Sequence, residues 1–146
     1  MHLHIITSGN IKKLKTSSLA SDRLRLDYIY EAAKQIGYEV TGGNSLLNAD
    51  IYFFSAMTKE IDEKIILELK KYIKLKERYL IVDYVDDWLS NSQSKIKTIY
   101  EQLINLGATF TVPTEGLAKQ LESYVKQVLI IQDGIDKIPN IKPKLL

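Results

Sequence analysis

A chain of 146 residues with 45% hydrophobic and 26% charged residues has the make-up of one ordinary globular domain, which excludes a disordered or collagen-like protein. Its formal net charge of +2 argues against a nucleic-acid partner, and the lack of cysteine excludes a disulfide framework or a thiolate nucleophile, as in a reducing compartment such as the cytoplasm. No run approaches the roughly 18 apolar residues of a membrane span, and the start Met1-His2-Leu3-His4 is unlike a signal peptide.

The first predicted strand covers residues 3–7, Leu3-His4-Ile5-Ile6-Thr7. A long loop, 9–20, follows with Thr16, Ser17 and Ser18, and leads into a helix that carries Arg23 and Arg25 in its first turn. Leu24, Tyr28, Ile29, Ala32 and Ile36 recur there at helical spacing, with Ser21 or Asp22 as the cap and Gly37 as the stop. A short strand at 39–41 and another at 51–54 are joined by a link, 42–50, that is short for a parallel crossover; a single turn at 45–48 or an early end to the strand would reconcile it.

Ile61, Ile65, Leu69, Tyr72 and Ile73 mark a second helix behind the capping candidate Thr58. Its lysines alternate with acids, as on a solvated helix face, although peripheral contact with an anionic membrane is also open to such a segment. The apolar strand 79–83 ends in Tyr84-Val85-Asp86-Asp87-Trp88. A third helix, with Ile96, Ile99, Tyr100, Leu103 and Leu106, stops at Gly107; a strand at 108–112 leads through Pro113-Thr114-Glu115 into a helix with Leu117, Ala118 and Leu121. The last strand is 128–131. The alternation predicts an α/β fold: a Rossmann-like parallel sheet of about six strands with helices on both faces, over residues 1–136, with 137–146 as a linker or tail.

Open α/β sheets bind ligands beyond the carboxyl ends of their strands, where the strand order reverses. With the common order 3-2-1-4-5-6, Gly9 and Asn10 would lie beside Asp86 and Asp87. Backbone amides, the Ser18 hydroxyl and the guanidinium groups of Arg23 and Arg25 suit an anion, while the same arginines would equally serve on a mobile surface loop. Asp86 and Asp87 suit a substrate hydroxyl, as ligands or as a base, or else simply cap the next segment. There is no G-x-G-x-x-G and no G-x-x-x-x-G-K-[ST], which disfavours NAD binding and P-loop ATP hydrolysis. His2 and His4 alone do not make a zinc site, so no metal and no cofactor is expected.

Four segments, in order, resemble the N-terminal domain of GT-B fold glycosyltransferases of the group 1 type. They are Ser21-Asp22-Arg23-Leu24-Arg25, Val82-Asp83-Tyr84-Val85-Asp86-Asp87, Phe110-Thr111-Val112-Pro113-Thr114-Glu115-Gly116-Leu117-Ala118, and Val128-Leu129-Ile130-Ile131-Gln132-Asp133-Gly134-Ile135-Asp136. The resemblance implies an acceptor-side domain whose enzyme transfers a sugar from a nucleotide-sugar donor to a hydroxyl acceptor, in glycan or polysaccharide biosynthesis. It implies Asp86 and Asp87 as catalytic residues, and Gly9, Asn10, Ser18, Arg23, Arg25, Thr114, Glu115, Asp133 and Gly134 around the substrates. A C-terminal donor-binding domain would be supplied by the same chain or by a separate subunit, and the isolated chain is expected to be inactive. The family's Glu-rich donor motif and its histidine base have no counterpart here. The alternative is a non-catalytic Rossmann-like binding or interaction domain; a response-regulator-like switch is disfavoured because its acidic pair should follow the first strand, where Ser8-Gly9-Asn10 stands.

Overall fold

A computed structural model of the protein describes residues 1–7, 10–17, 22–55, 63–90 and 95–133. Each predicted strand is present: β1 (His2–Ile6), β2 (Glu39–Gly42), β3 (Ile51–Ser55), β4 (Tyr79–Asp83), β5 (Thr109–Val112) and β6 (Val128–Ile130). The described α-helices are α1 (Asp27–Gln35), α2 (Glu63–Lys76), α3 (Lys95–Asn105) and α4 (Glu115–Leu121). The predicted stops are in place, with Gly37 and Gly107 at φ +84° and +77°, a backbone region that side-chain-bearing residues rarely adopt. Thr114 caps α4, its hydroxyl accepting from the Leu117 amide at 3.3 Å. The cap candidates Ser21 and Thr58 lie outside the described residues.

All five strand pairings are parallel, so the sheet is a Rossmann-like one of six strands. Its order, however, is β2-β1-β3-β4-β5-β6, not 3-2-1-4-5-6. The expected adjacency of the first and fourth strands is therefore corrected: β3 lies between them, with Ile6 beside Phe54 and Phe54 beside Val82. At roughly 4.8 Å per strand, the ends of β1 and β4 stand about 10 Å apart. The reversal falls between β1 and β3.

The cause is the link that the sequence made awkward. It contains no helical turn, and β2 runs to Gly42 instead of ending early. The chain returns across β1 in an extended form that buries Leu46 and Ala49 against Tyr52. The Tyr52 hydroxyl donates to the Leu47 carbonyl at 2.8 Å and accepts from the Ala49 amide at 3.1 Å, and Asp50 accepts from the His2 amide at 2.8 Å. These bonds satisfy backbone groups that a helix would otherwise have paired.

The two faces of the sheet are covered unequally. On one face Ile6, Tyr52, Phe54, Val82, Phe110 and Val112 pack with buried residues of α2, α3 and α4. On the other, Leu3, Ile5 and Phe53 pack with Leu14, Leu26 and Ala33 from α1 and the turns before it. Among the described residues this second layer stops short: Leu129 and Ile131, at the β6 edge, are 45% and 42% exposed.

Candidate functional site

The segment leading into α1 is not a free loop. Ile11–Thr16 forms 3₁₀ turns, opened by Asn10, whose side-chain carbonyl accepts from the Lys12 amide at 2.9 Å. A π-helical turn, Asp22–Leu26, then runs directly into α1, so Leu26 occupies the N-cap position and no side chain caps the helix. The wider turn points both Arg25 and Leu26 inward, and both are buried.

Arg25 lies on the sheet face beside Asp83, the last residue of β4 and itself buried. Its Nε donates to Asp83 Oδ2 at 2.7 Å and its Nη2 to Oδ1, a bidentate pair. Its Nη1 donates to the Ile131 carbonyl at 3.1 Å and to the Asp133 carboxylate. Four of the five guanidinium N–H groups are thus used within the protein. The Thr111 hydroxyl adds a bond to Asp83 Oδ1 at 2.8 Å. Burial works to lower the Arg25 pKa, but bonds to and charges on Asp83 and then Asp133 outweigh it, and the net direction is upward. The cation stays charged because it is paired.

Below this cluster lies a pocket of about 250 Å³, lined by Leu24, Tyr28, Ile29, Phe53, Thr111 and Ile131 besides the ion pair. With the charges spent on one another, its walls are mostly apolar.

The acidic loop beyond β4 is built differently. Tyr84 turns to the opposite face and is buried; its hydroxyl accepts from the Leu89 amide at 2.9 Å and donates to Asp87 Oδ1 at 3.2 Å. Asp87 also accepts from the Ser90 amide at 3.3 Å. Burial first, with the charge of Asp87 among the further causes, pushes the Tyr84 pKa up to about 12. Asp86 is exposed, with its carbonyl accepting from the Trp88 amide at 2.9 Å.

The structure therefore brings Arg25 and Asp133 together, places Asp86 and Asp87 on a separate loop past the end of β4, and gives Thr114 and Glu115 to the first turn of α4. Gly9, Ser18 and Gly134, and the side chain of Arg23, lie outside the described residues. So do residues 8–9 and 56–62, which follow β1 and β3 in the chain. Asp83 and Thr111 were not among the predicted site residues. Two signals pointed to the Asp83 pair: an acid closing the apolar run Leu80-Ile81-Val82 needs a buried cation, and Arg25 shares the inward spacing of Ile29 and Ala33; Thr111 had no such signal. The histidines serve neither site, since His2 Nε2 and His4 Nδ1 both meet the Thr41 hydroxyl, at 2.7 and 2.8 Å.

Fold and site define an α/β protein with an all-parallel, Rossmann-like sheet and a buried ion cluster at its carboxyl edge. Among the described residues, no helix is long and apolar enough to cross a membrane. In comparisons with known proteins the chain matches no family model, no curated protein and no solved structure.

Proposed function

We propose that this chain is the acceptor-side domain of a nucleotide-sugar-dependent glycosyltransferase, acting on a hydroxyl acceptor in glycan or polysaccharide synthesis. One observation carries the reading. Each of the four segments that resemble such enzymes sends one residue into a single cluster: Arg25, Asp83, Thr111 and Asp133. In this proposal the cluster is the frame of the site and not its chemistry. Arg25 is a positioning residue, four of its five donors already used, and it holds the end of β4 against the chain leaving β6. Asp86, exposed beyond that strand, contacts or deprotonates the acceptor hydroxyl; Asp87, anchored by Tyr84, orients the loop. The donor is held by a further domain, on the same chain or on another, and both walls are needed to align the reactants and exclude water.

The test supplies that second wall. The product of the complete gene, or this chain with a subunit encoded beside it, is assayed with uridine, guanosine and thymidine diphosphate sugars. Expected is sugar transfer that falls by about a hundred- to ten-thousand-fold in Asp86→Asn while the melting temperature is unchanged. No turnover of any nucleotide sugar, or robust turnover by the 146-residue chain alone, overturns the proposal. The second reading, a non-catalytic interaction domain, has its own support: the buried cation has little left to offer a ligand.

A further inference from the structure

On the face of the sheet opposite Arg25, a cavity of about 330 Å³ opens between the loop that follows β4 and the carboxyl end of α4. One wall carries Asp87 and Ser90; the other carries Lys119, Gln120, Ser123 and Tyr124. Leu89 and Leu121, both buried, lie beneath them with Tyr84. Hydrogen bonds fix both walls. The Tyr84 hydroxyl accepts from the Leu89 amide and donates to Asp87, and the turn after α4 is closed by the Tyr124 and Val125 amides, which donate to the Leu121 carbonyl at 2.8 and 3.0 Å. Lys119 and Ser123 are four positions apart, as are Gln120 and Tyr124, the spacing of neighbours on one helical face.

The polar groups here differ from those around Arg25 in being unspent. Asp87 takes the bonds from Tyr84 and from the Ser90 amide on Oδ1, so Oδ2 has its lone pairs to offer. Among the described residues, the side chains of Lys119, Gln120, Ser123 and Tyr124 make no hydrogen bond and no ion pair, with Asp87 or with any other group. The walls thus present a carboxylate acceptor, an ammonium donor, and an amide and hydroxyls that do both. The charges of Asp87 and Lys119 balance, which suits an occupant without charge. Tyr124, 53% exposed, adds an aromatic ring at the rim. A pyranose answers all three features: adjacent hydroxyls that donate and accept, no charge, and a face of C–H groups that packs against an aromatic side chain. The volume falls at the small end of the roughly 300–1,000 Å³ of small-molecule sites, room for a mono- or disaccharide.

We propose that this cavity binds a neutral saccharide, with Asp87 Oδ2 accepting from one hydroxyl, Lys119 and Gln120 donating to others, and the Tyr124 ring covering the C–H face. The proposal goes beyond sugar transfer and does not require it, since a non-catalytic domain would hold a glycan in the same way.

The test is a titration of the nitrogen-15 labelled 146-residue chain with methyl glycosides of glucose, galactose, mannose and N-acetylglucosamine, and with their disaccharides, in the millimolar range. No nucleotide sugar is present, so the outcome is separate from that of the transfer assay. With at least one of these sugars, the amide signals of Leu89, Ser90, Gln120 and Tyr124 should move and saturate, while those of Leu24, Ile29 and Ile131, beside Arg25, stay in place. No saturable shift with any sugar overturns the proposal, as do shifts confined to the Arg25 side. Affinity should hardly change with added salt; a steep fall, or tighter binding of glutamate or inorganic phosphate than of any sugar, would make this a site for charged ligands and overturn the saccharide. Asp87→Asn should weaken binding by about tenfold or more and Tyr124→Ala by about two- to tenfold, whereas Tyr124→Phe, which keeps the ring, retains most of the affinity. The dispersion of the remaining amide signals shows whether each variant is folded. Folded Asp87→Asn and Tyr124→Ala proteins that bind sugar as the parent does would show that these side chains do not hold it.

Discussion

Asp83 and Asp87 stand at one strand end, four positions apart, and live in opposite surroundings. Asp83 is buried against the α1 side of the sheet and is held by Arg25 and Thr111; Asp87 lies past the strand, exposed, receiving the Tyr84 hydroxyl and the Ser90 amide. The difference comes from geometry alone. Asp83 is still part of the pleat, and side-chain alternation sends it to the face opposite Val82 and Tyr84, where the only compensation for a buried carboxylate is a cation. Four residues later the pleat has ended and water does the same work. Charge at a strand end is thus structural or available according to whether the ladder still holds it.

The largest expected effect breaks this comparison at Arg25. Arg25→Met removes the cation and leaves Asp83 buried and unpaired, which should cost about 3–5 kcal/mol, read as a lower midpoint of urea unfolding with an unchanged slope. The double variant Arg25→Met, Asp83→Leu should recover much of that loss, because it removes both charges together; if it unfolds as readily as the single variant, the pair is not what the arginine contributes.

Thr111→Val sharpens the same point by removing one bond to a charged group, with an expected loss of about 1.5–3 kcal/mol in the same measurement. A loss well below that range would show that Arg25 alone satisfies Asp83.

A pH series adds a third kind of group, buried without any charge partner. Burial lowers the pKa of His4 below its ordinary 6.5; the Gly43 backbone opposes this in part, and nearby His2 adds to it. With the folded pKa depressed, the unfolded chain takes up the proton first. Stability is therefore full above about pH 6.5 and declines as the pH falls from there through the folded pKa. Melting temperatures measured between pH 8 and pH 5 should fall on the acid side, and less steeply in His4→Asn. A variant with an undiminished slope would move the acid sensitivity to other groups.

The smallest effect belongs to the exposed member of the pair. Asp87→Asn keeps the size and weakens two bonds at the surface, for an expected cost of about 0.5–1 kcal/mol by thermal unfolding. A cost as large as that of Arg25→Met would erase the distinction between the two aspartates.

Much of this architecture is legible in the chain because its signals are local. The six apolar runs became six parallel strands, Gly37 and Gly107 end their helices, and Thr114 caps the last one. The strand order was not legible, because it depends on whether residues 43–50 can cross β1 without a helix, and that rests on distant partners such as Tyr52 and His2. The role of Arg25 was hidden for a related reason. A loop arginine after serines suggests an anion site, whereas its actual anions, Asp83 and Asp133, come from positions 58 and 108 residues away. Asp86 and Asp87 were visible as a pair, yet only the fold separates the anchored carboxylate from the exposed one.

The short link also bears on how a growing chain reaches this sheet. β1 is an inner rung, with parallel ladders to β2 on one side and to β3 on the other. On the ribosome it is made before both of its partners, and its second neighbour emerges only with residues 51–55. A nascent chain that stalls before that point holds β1 with one bare edge, rich in Leu3, Ile5 and Ile6, and a bare apolar edge is a template for pairing with another chain. Crossing in a few residues instead of through a helix shortens the interval during which that edge waits.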